Sequence, residues 1–177
     1  MDKIILLDWD GPISNSRTWK MPGQVDPVAI QMVNDLTRAG WQTVLTSTIR
    51  KNFDRDRDGN SRSDSEARDA AELFMRNRGL HIRWYKPAWR TDRFYTAHRH
   101  LEVANWMMNA YLPEDAIFLV VDDERFPHEF LNRGRMRQIY ARSDSGIDYL
   151  SISEAYRYMY MPDIALDQAF EPTEENE

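Results

Sequence analysis

Carboxylates or hydroxyls stand at the ends of three short apolar runs in this chain. Asp8-Trp9-Asp10-Gly11 follows Ile4-Ile5-Leu6-Leu7, Thr46-Ser47 closes a run that begins at Trp41, and Asp122-Asp123 follows the most apolar stretch, residues 117–121. Side chains alternate along a strand, so an extended backbone through Trp9 would point Asp8 and Asp10 the same way. Two carboxylates beside a second acidic pair repel one another strongly unless a divalent cation neutralises them. The chain has no cysteine, so it has no disulfide framework and no thiolate nucleophile, and any metal must be held by oxygen or histidine. Oxygen donors favour magnesium, manganese or calcium, and magnesium suits a few carboxylates, several waters and a substrate phosphate.

These groups converge only if their runs lie side by side. In an open parallel sheet the ligand site lies beyond the carboxyl ends of the strands. Residues 4–7, 41–46, 81–85, 117–121 and 136–141 read as strands, and helical segments separate them. Asp26 and Pro27 open the first helix, with Ile30, Val33 and Leu36 on one face and Gly40 at its end. Ser63-Asp64-Ser65-Glu66 has the form of a capping box and opens a second helix, with Ala70, Leu73 and Phe74 inward and Gly79 at its end. A third, about 96–111, carries Leu101, Ala104, Met108 and Tyr111 at helical spacing, and a short helix at 127–133 precedes the last strand. The expected fold is α/β, a three-layer Rossmann-like sandwich on a parallel five-stranded sheet.

With 177 residues and 42% hydrophobic residues, one domain with a real core is expected over residues 1–160, followed by an acidic tail, partly disordered, at 161–177. The first ten residues are too short and too charged a run for a signal peptide or membrane span, so a soluble cytoplasmic protein without membrane contact is expected. The net charge of -6 gives no global attraction to nucleic acid. Its distribution is uneven, however: residues 76–100 hold seven basic side chains against one acidic.

In order, the chain carries a buried strand, Asp8-x-Asp10-Gly11, a later Thr46 or Ser47, a basic Arg99 in the string Arg99-His100-Leu101-Glu102-Val103-Ala104-Asn105-Trp106, and Asp122-Asp123. This pattern, spread over residues 3–148, resembles the haloacid dehalogenase superfamily of phosphatases. The resemblance implies that Asp8 is the nucleophile that takes a phosphoryl group as an aspartyl-phosphate. It makes Asp10 the acid that protonates the leaving alcohol and then the base that activates water. Mg2+ would be held by the Asp8 carboxylate, the Asp10 backbone carbonyl and the acidic pair, with Asp122 or Asp123 as the direct ligand. Thr46 or Ser47 would hydrogen-bond the phosphoryl group, and Arg99 would clamp it. Many relatives have lysine there; arginine keeps the charge and adds a bidentate fork. Pro12 stands where Thr or Val is commoner, which removes a hydroxyl from the loop.

In larger relatives an inserted cap selects the substrate. Here only about fifteen residues, 15–29, separate the Asp8 loop from the first helix, so no large cap domain is expected and the site is open. Such sites commonly serve polymer ends or are closed by a second subunit in a homo-oligomer. The nearest pattern is similar to the phosphatase domain of phage-type polynucleotide kinase/3'-phosphatases and related RNA-repair phosphatases. It rests on the basic segment with Arg90-Thr91-Asp92-Arg93, on Arg125 after the acidic pair, and on Ala-Arg-Ser-Asp-Ser-Gly at 141–146.

A phosphorylated nucleotide or nucleic-acid end is therefore the expected substrate. Arg90 and Arg93 could bind a second phosphate, and Trp84, Tyr85 or Trp89 could stack on a base. Equally, the arginines could be solvated and the aromatics could fill the core edge. The alternatives are a sugar-phosphate phosphatase with the same chemistry and a non-catalytic module that binds a phosphorylated ligand or a protein.

Two further motifs carry less. Asp54-Arg55-Asp56-Arg57-Asp58-Gly59 copies the first half of a calcium-binding EF-hand loop, but its ninth and twelfth positions are Arg62 and Ser65, so a locally paired loop is expected. His98 and His100 are too close in sequence to face alike on a helix, and no metal is assigned to them.

Overall fold

The computed structural model of the protein describes residues 1–92, 98–133 and 135–160. The acidic tail and Arg93 lie outside the described residues. Strands β1 (Lys3–Leu7), β2 (Gln42–Leu45), β3 (Ile117–Asp122), β4 (Met136–Arg142) and β5 (Gly146–Ile147) form one five-stranded sheet in the order β2-β1-β3-β4-β5. Four of them run parallel, whereas β5 pairs antiparallel with β4, so the sheet is mixed rather than wholly parallel.

The expected strand at 81–85 does not form as a regular strand. Its chain runs along the outer edge of β2, where Tyr85 N donates to Thr43 O at 3.0 Å and Thr91 N to Leu45 O at 3.0 Å. Between those contacts lies Lys86-Pro87-Ala88, and proline has no N–H to give to a ladder. Only isolated bridges remain, Thr43 with Trp84 and Leu45 with Arg90.

Helices cover both faces of the sheet: α1 (Pro27–Arg38), α2 (Asp64–Arg76), α3 (Arg99–Asn109), α4 (His128–Arg133) and α5 (Tyr149–Tyr160). Strand alternation divides the core into two. Ile5 and Leu7 pack with α1, α2 and α5, while Ile4 and Leu6 pack with Val103 and Trp106 of α3. Among the described residues, no helix is long and apolar enough to cross a membrane.

The helix starts follow their capping residues. Asp26 accepts from Val28 N at 3.0 Å, and Ser63 and Glu66 form the reciprocal capping box, with Ser63 N donating to Glu66 Oε2 at 2.8 Å. The inward faces differ from expectation on two helices. α2 buries Ala67, Ala71 and Met75, with Ala70 and Phe74 at the margin and Leu73 59% exposed. α3 buries Glu102, Val103 and Trp106 and turns Leu101 and Met108 to solvent, and it ends at Asn109, so that Tyr111 lies beyond it and is exposed. A carboxylate on the buried stripe of α3 hides that face from a hydrophobicity reading, and its partner comes from far away in the chain.

Candidate active site

The register of the three central strands brings the carboxylates together. Leu7 pairs with Leu45 on one side and with Val121 on the other. One residue further on, Asp8 N donates to Val121 O and Thr46 N to Leu7 O, each at 2.9 Å, so Asp8, Thr46 and Asp122 leave the sheet at one level. Trp9 is buried and packs on Phe74 with ring centroids 5.1 Å apart, which anchors the loop between the two acids.

The chain then turns sharply. Trp9 O accepts from Ile13 N and Ser14 N at 3.1 and 2.9 Å, and Gly11 sits at φ +95. A side chain at Gly11 would meet Asp123, since an added Cβ would lie 2.7 Å from its Cβ and Cγ. Glycine is needed here for both the left-handed backbone and the close approach.

Asp8, Asp122 and Asp123 each place a carboxylate oxygen within 4.8 Å of the others. The Asp10 carboxylate is exposed and stands outside this group; Ser47 Oγ donates to its Oδ2 at 3.5 Å. Ser47 also favours the charged form of Asp8, so it is the hydroxyl that faces the acids. Thr46 Oγ1 is buried without a hydrogen-bond partner.

Arg99, the first residue of α3, reaches into this cluster. Its Nη2 lies 3.6 Å from Asp8 Oδ2, its Nε 3.5 Å from Asp122 Oδ2, and its Nη1 donates to Thr46 O. Burial works against its charge, but Asp8, Asp122, Glu102 and Glu124 outweigh that and raise its pKa.

Burial dominates the acids. It pushes Asp8 up to about 6, helped by Asp123 and Asp10 and opposed by Arg99 and Ser47. Asp122 is pushed up to about 8 by burial and by the neighbouring Asp8. Asp123 is raised by burial and by Asp10 and Glu124. Asp122 Oδ1 accepts from Glu124 N at 2.8 Å, while its buried Oδ2 has no hydrogen-bond partner. An all-oxygen set of crowded acids, one of whose buried oxygens accepts no hydrogen bond, fits a hard divalent cation such as Mg2+.

Sequence reasoning missed Arg50. Its buried guanidinium donates to Thr46 O, to Ser47 O at 2.7 Å and to Glu102 Oε2 at 2.8 Å. It thereby ties the loop after β2 to the buried stripe of α3. The only sequence signal was a basic residue three positions after Thr46-Ser47.

The substrate-binding expectations divide. Trp84, Tyr85 and Trp89 are at most 6% exposed, and Trp89 packs on Trp84 at 5.1 Å with its Nε1 3.0 Å from Asp64 Oδ1, so these rings fill the core edge and do not present a stacking face. Arg90 is held by Asp54 at 2.5 Å and Asp64 at 3.2 Å. It lines a cavity of about 320 Å³ together with Arg50, Lys51, Arg55, Thr91 and two acids, Asp54 and Asp92.

The Asp54–Gly59 loop is closed on itself. Asp56 Oδ1 accepts from Asp58 N at 2.9 Å and from Asn60 N at 2.8 Å, and Arg55 donates to Gly59 O at 2.8 Å. The 141–146 stretch folds against the loop after Asp10, where Ser16 Oγ donates to Asp144 O at 2.9 Å. Arg125 lies over the Tyr140 ring at 4.3 Å. Set against models of known protein families, curated proteins and solved structures, the chain matches none of them.

Proposed function

We propose that the protein is a Mg2+-dependent phosphomonoesterase of the haloacid dehalogenase type, Rossmann-like and without a cap, that works through an aspartyl-phosphate on Asp8. The observation that carries this reading is the convergence of Asp8, Asp122 and Asp123 within 4.8 Å, with one guanidinium set against two of them. Mg2+ would be held by Asp8, the acidic pair and, as the resemblance implies, the Asp10 carbonyl. When bound it supplies charge neutralisation and Lewis acidity toward a phosphate oxygen.

The protein's own groups divide the work. An Asp8 oxygen attacks phosphorus and the bond from phosphorus to the leaving alcohol breaks. Asp10, exposed at the mouth of the site, gives that alcohol its proton. A water then attacks the aspartyl-phosphate and gives a proton back to Asp10, releasing phosphate and restoring Asp8. Arg99 and the Ser47 hydroxyl orient the phosphoryl oxygens, and Arg50 holds the Ser47 loop in place.

A nucleotide or nucleic-acid phosphate end is the substrate class we favour. The short loop after Asp10 supports an open site, and the excess of bases in the cavity lined by Arg50, Lys51, Arg55 and Arg90, against Asp54 and Asp92, supports room for a second phosphate. The test is phosphate release from a generic aryl phosphate, followed by a panel of 3'-phosphorylated oligonucleotides, mononucleotides and sugar phosphates. Activity that needs Mg2+, disappears in Asp8→Asn and is greatest on the oligonucleotides is expected. Full activity of Asp8→Asn or in chelator would overturn the chemistry, and a preference for sugar phosphates would overturn the substrate class.

A further inference from the structure

A second group of metal-binding side chains lies beside the carboxylate cluster. His98, His100 and Glu124 each bring one ligand atom within 4.8 Å of the others. Two histidines two positions apart cannot face alike inside a helix. His98, however, precedes α3 with an extended backbone, φ -119 and ψ 119, whereas His100 is helical. The change of conformation between them brings the rings to 5.5 Å.

The site is held from several directions. Phe126 and Phe130 meet the His100 ring edge-on at 6.2 and 5.7 Å and fix its plane. Its Nδ1 is buried with no hydrogen-bond partner, and Glu124 Oε1 is 3.9 Å away, too far for a hydrogen bond. Glu124 Oε1 is itself positioned by Arg99 N, which donates to it at 2.7 Å. A buried imidazole nitrogen aimed at a carboxylate it does not reach is what a shared ion would satisfy.

The donor set differs in kind from that of Asp8, Asp122 and Asp123. Two imidazoles and one carboxylate are softer than three carboxylates and suit zinc and its neighbours rather than magnesium. Ligand bonds of about 2.0–2.2 Å put the donor atoms roughly 3–4 Å apart, so side-chain rotation closes the present spacing. His98 is exposed and His100 and Glu124 are partly so, which leaves an entry path.

We propose that His98, His100 and Glu124 bind one zinc-class transition-metal ion, with a position left open to water, at a site separate from the carboxylate cluster. The ion would join the residue before α3 to the loop after β3, and so join the elements that carry Arg99 and Asp122. None of the three side chains has a part in the phosphoryl transfer proposed above, so the two readings stand or fall separately.

The test uses the full chain without a purification tag, in excess Mg2+, titrated with Zn2+ by calorimetry and with Co2+ by visible absorption. Binding of about one equivalent, weakened more than about tenfold in His98→Ala and in Glu124→Gln, is expected. Binding should persist in His81→Ala and in Asp122→Asn. His98 is exposed and Glu124→Gln keeps the side-chain shape, so unfolding does not confuse the result. The proposal is overturned by no binding, by binding indifferent to those two substitutions, or by binding lost in Asp122→Asn.

Discussion

Asp8 just after β1 and Asp122 at the end of β3 lie one residue beyond the Leu7–Val121 pair, and the Arg99 guanidinium lies 3.6 Å from the first and 3.5 Å from the second. One arginine cannot neutralise both acids and Asp123 as well. Burial therefore raises Asp122 from the ordinary 3.8 to about 8 and Asp8 to about 6. The folded state then holds protons that the unfolded state has released, so metal-free stability falls as pH rises through that window. Melting temperatures measured in chelator should show Asp122→Asn gaining on the wild type between pH 4 and pH 8, and Mg2+ should release protons on binding. A gap that stays constant over that range would contradict the assignment.

Arg50 and Glu102 form a buried pair that joins the Ser47 loop to α3. Removing Arg50 leaves buried Glu102 with only the longer ion pair to Arg99 Nη1 at 3.6 Å, and losing the close partner of a buried pair costs up to about 3–5 kcal/mol. Denaturant melts of Arg50→Ala should show a loss of that size, and a loss below about 1 kcal/mol would mean that water already screens the pair.

Gly11→Ala tests the turn. Its Cβ would fall 2.7 Å from Asp123, and φ +95 disfavours any side chain. We expect Mg2+ affinity to fall more than about tenfold, a cost of roughly 1.4 kcal/mol or more, because Asp123 must move. The fold should survive, as judged by circular dichroism. Unchanged Mg2+ affinity would remove Asp123 from the metal site.

Trp89→Ala separates core from contact. The ring is 2% exposed and sits on Trp84, so its loss should destabilise the protein by about 3–5 kcal/mol. Arg90→Ala should instead spare stability and raise KM for substrates carrying a second phosphate. A Trp89→Ala protein of full stability but raised KM would restore the stacking role.

Much of the site was legible because it depends on strand ends. An apolar β1 running into Asp8 and an apolar β3 running into Asp122 become neighbours once the sheet is parallel, and helix starts announce themselves through Asp26 and the Ser63–Glu66 capping box. Other parts depend on residues distant in sequence. Hydrophobic spacing misplaces the inward face of α3 because that face begins at Glu102, whose hydrogen-bond partner, Arg50, lies on another element. Residues 81–85 have strand composition, yet Pro87 interrupts their ladder with β2. Trp89 stands in a basic segment but is drawn inward by Trp84 and Asp64. Spacing alone treats His98 and His100 as both helical, whereas the backbone at His98 is extended.

The most direct measurement of the proposed chemistry is whether Asp8 carries phosphate when an aryl phosphate is supplied. Acid quenching of the protein with an aryl phosphate and Mg2+, then borohydride reduction and peptide mapping by mass spectrometry, converts an aspartyl-phosphate to homoserine at its own position. Homoserine is expected at position 8 and nowhere else. Turnover that leaves Asp8 unmodified, or that marks a different residue, would contradict it.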